Sequence, residues 1–295
     1  MTARSGAPSP GSFEPSRLRH PRERPIFIAS VLLNLAVLVA GVVLLVMGDE
    51  WLASHPRVAK YADEIKGAAI AALVAPFVLT FSRNREHAAV RANSVRLSHA
   101  QLPEIYDDFE RMSTTLGMSR VPELYVSESA GDPPATSRSA WHVDYVVLDD
   151  QYLQANLDAV RDVYRFLLAR ELGRIHLDHT TWLDDILLAY IIRLPFLRNP
   201  LMHVRTYSHD RYAAYLAPDS IRGLVALATG RRVLERVDVD TFVRQALEVR
   251  GWWARVASLM TGLPRVAYRI QELEHAGLLR MTPGSPHDRS STPIG

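Results

Sequence analysis

The chain has 295 residues, of which 48% are hydrophobic and 22% are charged, and its formal net charge is +2 at pH 7. This composition is that of a folded chain, so disorder throughout is excluded, and so weak a net charge argues against nucleic acid as the main partner. The sequence contains no cysteine, which excludes a disulfide framework, a zinc site built from thiolates and a cysteine nucleophile.

The N-terminal region is a polar tail followed by a long apolar run. Residues 1–25 are rich in Pro, Ser, Gly and Arg and have no apolar period, which predicts a disordered basic tail. From Ile26 to Met47 only Ser30 and Asn34 have polar side chains, and a helix of about 22 residues spans the hydrocarbon layer of a bilayer. We therefore expect a transmembrane helix over 26–47. A cleaved signal peptide is the alternative, but its apolar region would be shorter.

A second apolar run extends from Gly67 to Phe81. It is shorter and contains Pro76, so a buried or re-entrant helix is the alternative to a second span. Arginines precede the first run and follow the second, whereas the loop between the runs is mainly acidic. By the positive-inside rule, this charge pattern predicts a transmembrane hairpin over 26–82, with spans at 26–47 and 67–81 and both flanks in the cytosol. The expected location is the cell membrane, as a multi-pass protein whose N-terminus and C-terminal domain are cytosolic.

Residues 83–280 have the pattern of a mostly helical α+β domain with one small sheet. Short strands are predicted at Val95–Leu97, Glu123–Ser127 and Val143–Leu148. The helical period predicts helices at 102–116, 153–176, 186–197, 205–216, 220–229, 240–260 and 266–276. The stretch 186–197 is too short to cross a bilayer, so a core or membrane-surface helix is favoured over a third span. Residues 281–295 are rich in Pro, Ser and Gly, which predicts a second disordered tail.

Two of the predicted helices carry the residues that suggest a function. The first contains Arg170-Glu171-Leu172-Gly173-Arg174, which alone is typical of an amphipathic helix with an ion-paired, solvated face. The second contains Thr206-Tyr207-Ser208-His209-Asp210-Arg211. In order and spacing, residues 94–275 resemble the peptidase domain of the HtpX-like gluzincin zinc endopeptidases. In that family a cytosolic domain of zincin fold follows two transmembrane helices, as expected here.

The resemblance identifies positions that would bind zinc. In the family, two histidines of an H-E-x-x-H helix bind the ion, the glutamate between them is the general base, and a glutamate of a later helix is the third ligand. Matched residue by residue, these ligand positions are Arg170, Arg174 and Thr206 in this chain. The general-base position is retained as Glu171. The other matching residues of the two helices are Gly173, Asp210 and Arg211.

Two further segments resemble the family more weakly. Pro134-Ala135 stands where the family has Asn-Ala, just before the edge strand that pairs with substrate, and proline lacks the N–H group that such pairing uses. Leu263-Pro264 replaces a His-Pro pair, whereas the Arg-Ile that follows is retained as Arg269-Ile270.

The two arginines oppose metal binding. A guanidinium is permanently cationic and has no lone pair to offer a metal ion. We expect Arg170, Arg174 or both to pair with Glu171 or Asp210 inside the former metal cavity. The alternative is that the arginines point to solvent.

A histidine elsewhere in the chain could in principle take the place of a missing zinc ligand. His209 is the histidine expected nearest the cleft, and a rearranged metal site of Glu171, His209 and Asp210 is a less favoured alternative. On a continuous helix, His176 and His179 would face away from the cleft.

A family resemblance without the zinc ligands predicts a membrane-anchored pseudopeptidase that has no metal cofactor and acts by binding. Its expected partners are the lipid bilayer and peptide segments or another membrane protein, with no role for nucleic acid. One alternative is a zinc metalloendopeptidase with rearranged ligands, which would cleave membrane or misfolded proteins at the cytosolic face in protein quality control. The other alternative is a non-catalytic membrane scaffold.

Overall fold

The computed structural model describes residues 15–279, apart from 56–58, 129–133, 141–142, 154–156 and 235. Its fold is mostly helical α+β with one small mixed sheet, as the sequence predicts. The predicted C-terminal tail, 281–295, and residues 1–14 of the predicted N-terminal tail lie outside the described residues.

Two helices begin the described part of the chain. Helix α1 comprises Pro15–Leu18 and helix α2 comprises Glu23–Ala53. Leu18 and Glu23 are both buried against the rest of the protein. The predicted disordered tail over 1–25 is therefore wrong for residues 15–25, because these side chains find distant partners that local composition does not reveal.

Helix α2 packs against helix α3 (Ala62–Asn93) as a hairpin. Of the helices that the structure describes, one is long and apolar enough to cross a membrane by length and composition, and it is Glu23–Val46 of α2. The second predicted span forms part of α3, which is continuous through position 76. Several large apolar side chains of α3 are exposed, namely Ile70, Val74, Phe77, Val78 and Phe81.

The sheet contains four strands in the order β1-β2-β4-β3. Their ranges are Val95–Arg96 for β1, Glu123–Ser127 for β2, Ala135–Ala140 for β3 and Val143–Asp149 for β4. Strands β2 and β4 are parallel, whereas β3 pairs antiparallel with β4 and lies at the sheet edge. The three predicted strands are confirmed within a residue. The residue pattern did not predict β3, because its small polar residues show no apolar alternation, and only the family resemblance implied an edge strand near Pro134-Ala135.

Nine further helices are described. They are α4 (Pro103–Thr115), α5 (Leu157–His176), α6 (Trp182–Leu187), α7 (Pro195–Leu216), α8 (Ile221–Thr229), α9 (Arg231–Leu234), α10 (Val239–Glu248), α11 (Trp252–Leu259) and α12 (Val266–His275).

Three helix predictions need correction. The predicted helices 186–197 and 205–216 are instead the end of α6, a 3-10 turn and one continuous α7, which begins with Pro195 and runs through Pro200. The predicted helix 240–260 is divided into α10 and α11, because Gly251 has a φ of 118°, which a right-handed helix does not accept.

Helix α5 lies at the centre of the domain and packs against α7, α8 and strand β3. The crossing of α5 and α7 requires a glycine, because a Cβ on Gly173 would lie 2.4 Å from Tyr212 Cβ. Around this crossing the apolar side chains of Tyr164, Leu168, Leu172 and Tyr212 are buried. The close approach of the two helices brings the matched residues of both together.

Candidate functional site

Arg170 of α5 lies between two buried carboxylates. Its Nη1 donates to Glu171 Oε1 at 3.2 Å, and its Nε lies 3.5 Å from Asp210 Oδ1 on α7. The three side chains are almost completely enclosed, with 11% of the Arg170 side chain and 1% of each carboxylate side chain exposed. The expected pairing of Arg170 with Glu171 and Asp210 is therefore present.

Glu171 receives two more hydrogen bonds on its other oxygen. Arg174, one turn along α5, donates from Nη1 to Glu171 Oε2 at 3.4 Å, and Ser137 of β3 donates to the same oxygen at 2.6 Å. Arg174 differs from Arg170 because 35% of its side chain is exposed. It closes the cluster on the solvent side.

Asp210 is held mainly by Arg269 of α12. The Nε and Nη2 atoms of Arg269 each donate to one oxygen of Asp210, both at 2.6 Å, and both side chains are buried. The neighbouring Arg211 pairs with Glu272 of α12 at 2.5 Å. Asp210, Arg211 and Arg269 thus join α12 to α7.

Thr206 occupies the third ligand position of the resemblance. Its side chain is buried, and its hydroxyl donates to the carbonyl oxygen of Met202 in the same helix at 2.8 Å. A zinc ion bound as in the family does not fit these residues, because the matching positions present two cations and a hydroxyl already used as a donor. Among the residues that the structure describes, there is no group of three or more His, Asp or Glu side chains that could hold a metal ion.

His209 lies beside this cluster but bonds elsewhere. Its Nε2 lies 2.9 Å from Nδ1 of His179, whose Nε2 lies 3.1 Å from Glu23 Oε1 at the start of α2. Since an ionised carboxylate only accepts, His179 Nε2 carries a proton, and the neutral ring then accepts a hydrogen bond from His209 through Nδ1. His209 therefore belongs to a series of hydrogen bonds that leads away from Glu171 and Asp210.

The continuous helix assumed in the prediction for His179 is not present. Helix α5 ends at His176, and Asp178 has a φ of 60°, so the helical spacing used for the prediction does not extend to residue 179. The resulting turn points His179 at His209.

Burial and neighbouring cations keep His209 uncharged. Its pKa is well below the ordinary 6.5, first because the ring is buried and then because His179, Arg170 and Arg174 lie nearby. Burial likewise lowers the pKa of His179, against the opposing effect of Glu23. The cluster therefore carries its positive charge on arginines and not on histidines.

Sequence reasoning missed three residues of this region. Ser137 is on the strand that the sequence did not predict, and Glu23 is in the part assigned to the disordered tail. Ser208 donates to Glu23, so it joins the chain of His209, His179 and Glu23. In the sequence, the feature that could have indicated these contacts is Glu23, an isolated acidic residue among arginines and prolines just before the apolar run.

Comparisons of the chain with protein-family models, curated proteins and solved structures found no match in any of the three. The resemblance to the HtpX-like endopeptidases accordingly depends on the residues and spacings described above.

Proposed function

We propose that this chain is a membrane-anchored pseudopeptidase, similar to the HtpX-like zinc endopeptidases, that binds peptide segments without hydrolysing them. The observation that carries the proposal is the position of Arg170, whose guanidinium contacts Glu171 and lies 3.5 Å from Asp210. In the family, a histidine at this position would bind zinc.

The charge of the cluster supports this interpretation. Arg170 and Arg174 together supply two positive charges, the same charge as one divalent ion, next to the Glu171 carboxylate. Both Glu171 oxygens already accept hydrogen bonds, from Arg170, Arg174 and Ser137. Because the positions that match the zinc ligands are Arg170, Arg174 and Thr206, a glutamate held in this way would have no metal-bound water to activate.

The membrane anchor is the second part of the proposal. Helix α2 would cross the bilayer over 26–47, and the exposed apolar side chains of α3 support a second crossing over 67–81. The arginines that flank the hairpin favour a cytosolic N-terminus and a cytosolic domain, in the cell membrane. Arg83 has an additional structural role, because it forms an ion pair with Asp185.

The outer edge of β3, which pairs with no other strand among the described residues, is the proposed peptide-binding element. Strand β3 is last in the sheet, beside Glu171, and an extended peptide could add to it by main-chain hydrogen bonds. The backbone N–H of Asp149 donates to the carbonyl of Pro134, which places alternate residues of β3 toward β4. Ser137 then directs its backbone groups away from β4. The residue is completely buried, and the carbonyl of Ser139 on the same side accepts from Arg83 at 3.4 Å, so a peptide would have to displace the side chains that cover this edge.

The test uses a fluorescently labelled, permanently unfolded protein as the peptide source. Binding is measured by fluorescence anisotropy with the full chain in detergent, and cleavage is followed on gels with and without a chelator. The informative variants are Ser137→Pro and Ser137→Ala. Both lose the hydroxyl contact with Glu171, but only proline also removes the backbone N–H that points away from β4.

We expect saturable binding without cleavage, and weaker binding by Ser137→Pro than by Ser137→Ala. Equal binding by the two variants would refute pairing at the β3 edge. Absence of any binding would favour the scaffold alternative. Cleavage that stops with a chelator would establish the zinc endopeptidase alternative.

A further inference from the structure

The first turns of α2 do not stand free of the domain. Asn34 of α2 donates from Nδ2 to the carbonyl of Ile186 at 3.2 Å, and its Oδ1 accepts from the backbone N–H of Tyr190 at 2.8 Å. Asn34 thus satisfies backbone groups where the chain leaves α6 and turns toward α7. The carbonyl of Ile186 and the N–H of Tyr190 therefore bond to a side chain of the candidate membrane helix.

An apolar cluster continues this contact toward the start of α2. Leu188, Leu201 and Val204 are buried together, and Ile26, Phe27 and Val31 of α2 pack against them. The segment 186–204 therefore lies alongside residues 26–34 of α2.

The Arg205–Asp184 ion pair gives a reference point for estimating how deep Asn34 would lie in a bilayer. Arg205 forms a buried two-bond ion pair with Asp184, and its guanidinium lies 5.4 Å from the Phe27 ring centre. Asn34 lies seven residues further along α2, or about 10 Å at the helical rise. Because half of the hydrocarbon layer is about 15 Å thick, the contact of Asn34 with Ile186 and Tyr190 falls within one leaflet.

Large apolar side chains of two segments that pack against each other are exposed. We call them the apolar rim, and they come from the start of α7 and from α11 with the loop that follows it. Its members are Leu194, Phe196, Leu197, Trp252, Trp253, Leu259, Met260 and Leu263. Phe196 is 82% exposed and Trp253 is 70% exposed, so neither side chain is part of the protein core.

Hydrogen bonds hold the two parts of the apolar rim together. Asn199 of α7 donates to the carbonyl of Leu259 at 2.9 Å, and His203 Nε2 lies 3.0 Å from the carbonyl oxygen of Thr261. These bonds place the end of α11 and the loop after it against α7, which in turn packs against α2.

We propose that the apolar rim is embedded in the cytosolic leaflet, where it contacts lipid acyl chains, so that residues 186–201 enter one leaflet without crossing the bilayer. The inference depends on the membrane anchor in the proposed function and not on peptide binding. Non-helical backbone at membrane depth is tolerated where protein groups satisfy it, as Asn34 does here. Tryptophans such as Trp252 and Trp253 favour the interfacial zone.

Two arginines of this segment, Arg193 and Arg198, are exposed near the apolar rim. Their long side chains can place the guanidinium among lipid phosphates while their aliphatic parts stay in the apolar zone. The rim therefore has the mixed character of a surface at the boundary between head groups and acyl chains.

The absence of cysteine from the chain permits a direct test. Single cysteines are introduced as Phe196→Cys and Trp253→Cys in the apolar rim, with Val39→Cys in α2 and Thr115→Cys in α4 as references. Each full-length variant is labelled with the environment-sensitive dye NBD and reconstituted in phosphatidylcholine–phosphatidylglycerol vesicles. Quenching is compared for lipids that carry the quencher near the head group or near the acyl-chain end.

We expect the labels at 196 and 253 to be quenched several-fold more than the label at 115, and more strongly by the shallow quencher than by the deep one. The label at 39 should respond more to the deep quencher. If 39 is quenched but 196 and 253 behave like 115, the leaflet insertion is wrong and the anchor stands. If 196 is quenched as deeply as 39, the one-leaflet depth is wrong. If none is quenched, the anchor of the proposed function fails as well.

Discussion

Arg269 holds Asp210 in a two-bond ion pair in which 5% of the arginine side chain and 1% of the aspartate side chain are exposed. Removal of one partner leaves a buried charge, which typically costs about 3–5 kcal/mol of unfolding free energy. We therefore expect Arg269→Met or Asp210→Leu alone to destabilise the protein by that amount in chemical denaturation. The double variant should recover most of the loss, because an apolar pair of similar volume is tolerated. Additive losses in the double variant would show that the two residues act separately.

Arg170 and Arg174 should differ in their contributions to the free energy of unfolding. Arg170 is enclosed and lies beside two carboxylates, whereas Arg174 is one-third exposed and contacts one. We expect Arg170→Ala to cost about 3 kcal/mol of unfolding free energy, as for a broken buried pair, and Arg174→Ala to cost about 1 kcal/mol or less. Thermal and chemical unfolding in the same detergent would measure both. A larger loss of unfolding free energy for Arg174→Ala than for Arg170→Ala would mean that the partly exposed arginine contributes more to the stability of the cluster.

Restoration of the family ligands tests the resemblance itself. The triple variant Arg170→His, Arg174→His and Thr206→Glu places two imidazoles one turn apart and a carboxylate on α7, the ligand set of the family. We expect this variant, and not the Thr206→Glu control, to bind about one zinc ion per chain by elemental analysis. Failure of a folded triple variant to bind zinc would argue against a zincin arrangement of α5 and α7.

The crossing of α5 and α7 should not accept a side chain at Gly173. A Cβ there would lie 2.4 Å from Tyr212 Cβ and 2.8 Å from its Cγ. We expect Gly173→Ala to destabilise the protein by about 2 kcal/mol or more through overpacking. The matched control is Gly67→Ala in α3, where a Cβ would have no atom within 4 Å, and alanine favours a helix. Similar melting temperatures for the two variants would contradict the close crossing.

The stability of the protein should fall in mild acid, in part through His209. Its pKa in the folded protein is well below 6.5, so below that pH the unfolded chain binds more protons than the folded one and the free energy of unfolding decreases. The loss for one such histidine approaches about 1.4 kcal/mol per pH unit between about pH 6.5 and its folded pKa. The variant His209→Gln keeps a neutral donor toward His179 and should lose less stability than the wild type between about pH 7.5 and 5.5 in thermal unfolding. Equal losses would assign the acid sensitivity to other groups.

The sequence predicted the parts of the fold that have strong periodic patterns. Helix α12 and strands β2 and β4 were predicted within about two residues, because their apolar residues recur at regular spacing. Strand β3 and the division between α10 and α11 were missed, because the first depends on pairing with β4 and the second on the φ of one glycine. The order of residues 15–25 depends on contacts with α7, which local composition cannot show.

The site was predictable where it depended on neighbouring positions of the two helices. The pairing of Arg170 and Arg174 with Glu171 follows from side chains one residue and one turn apart, and the proximity of Asp210 follows from the resemblance. The contact of Ser137 with Glu171 and the path from His209 through His179 to Glu23 join segments far apart in sequence. No spacing rule relates such segments.

The bonds of Glu23 to Ser208 and His179 mean that α2 starts inside the domain, without a linker between them. A domain tethered by a flexible chain would sample many heights and tilts above a bilayer. If α2 is the membrane anchor that we propose, these bonds would instead hold the domain, and the outer edge of β3, at one fixed distance from the bilayer.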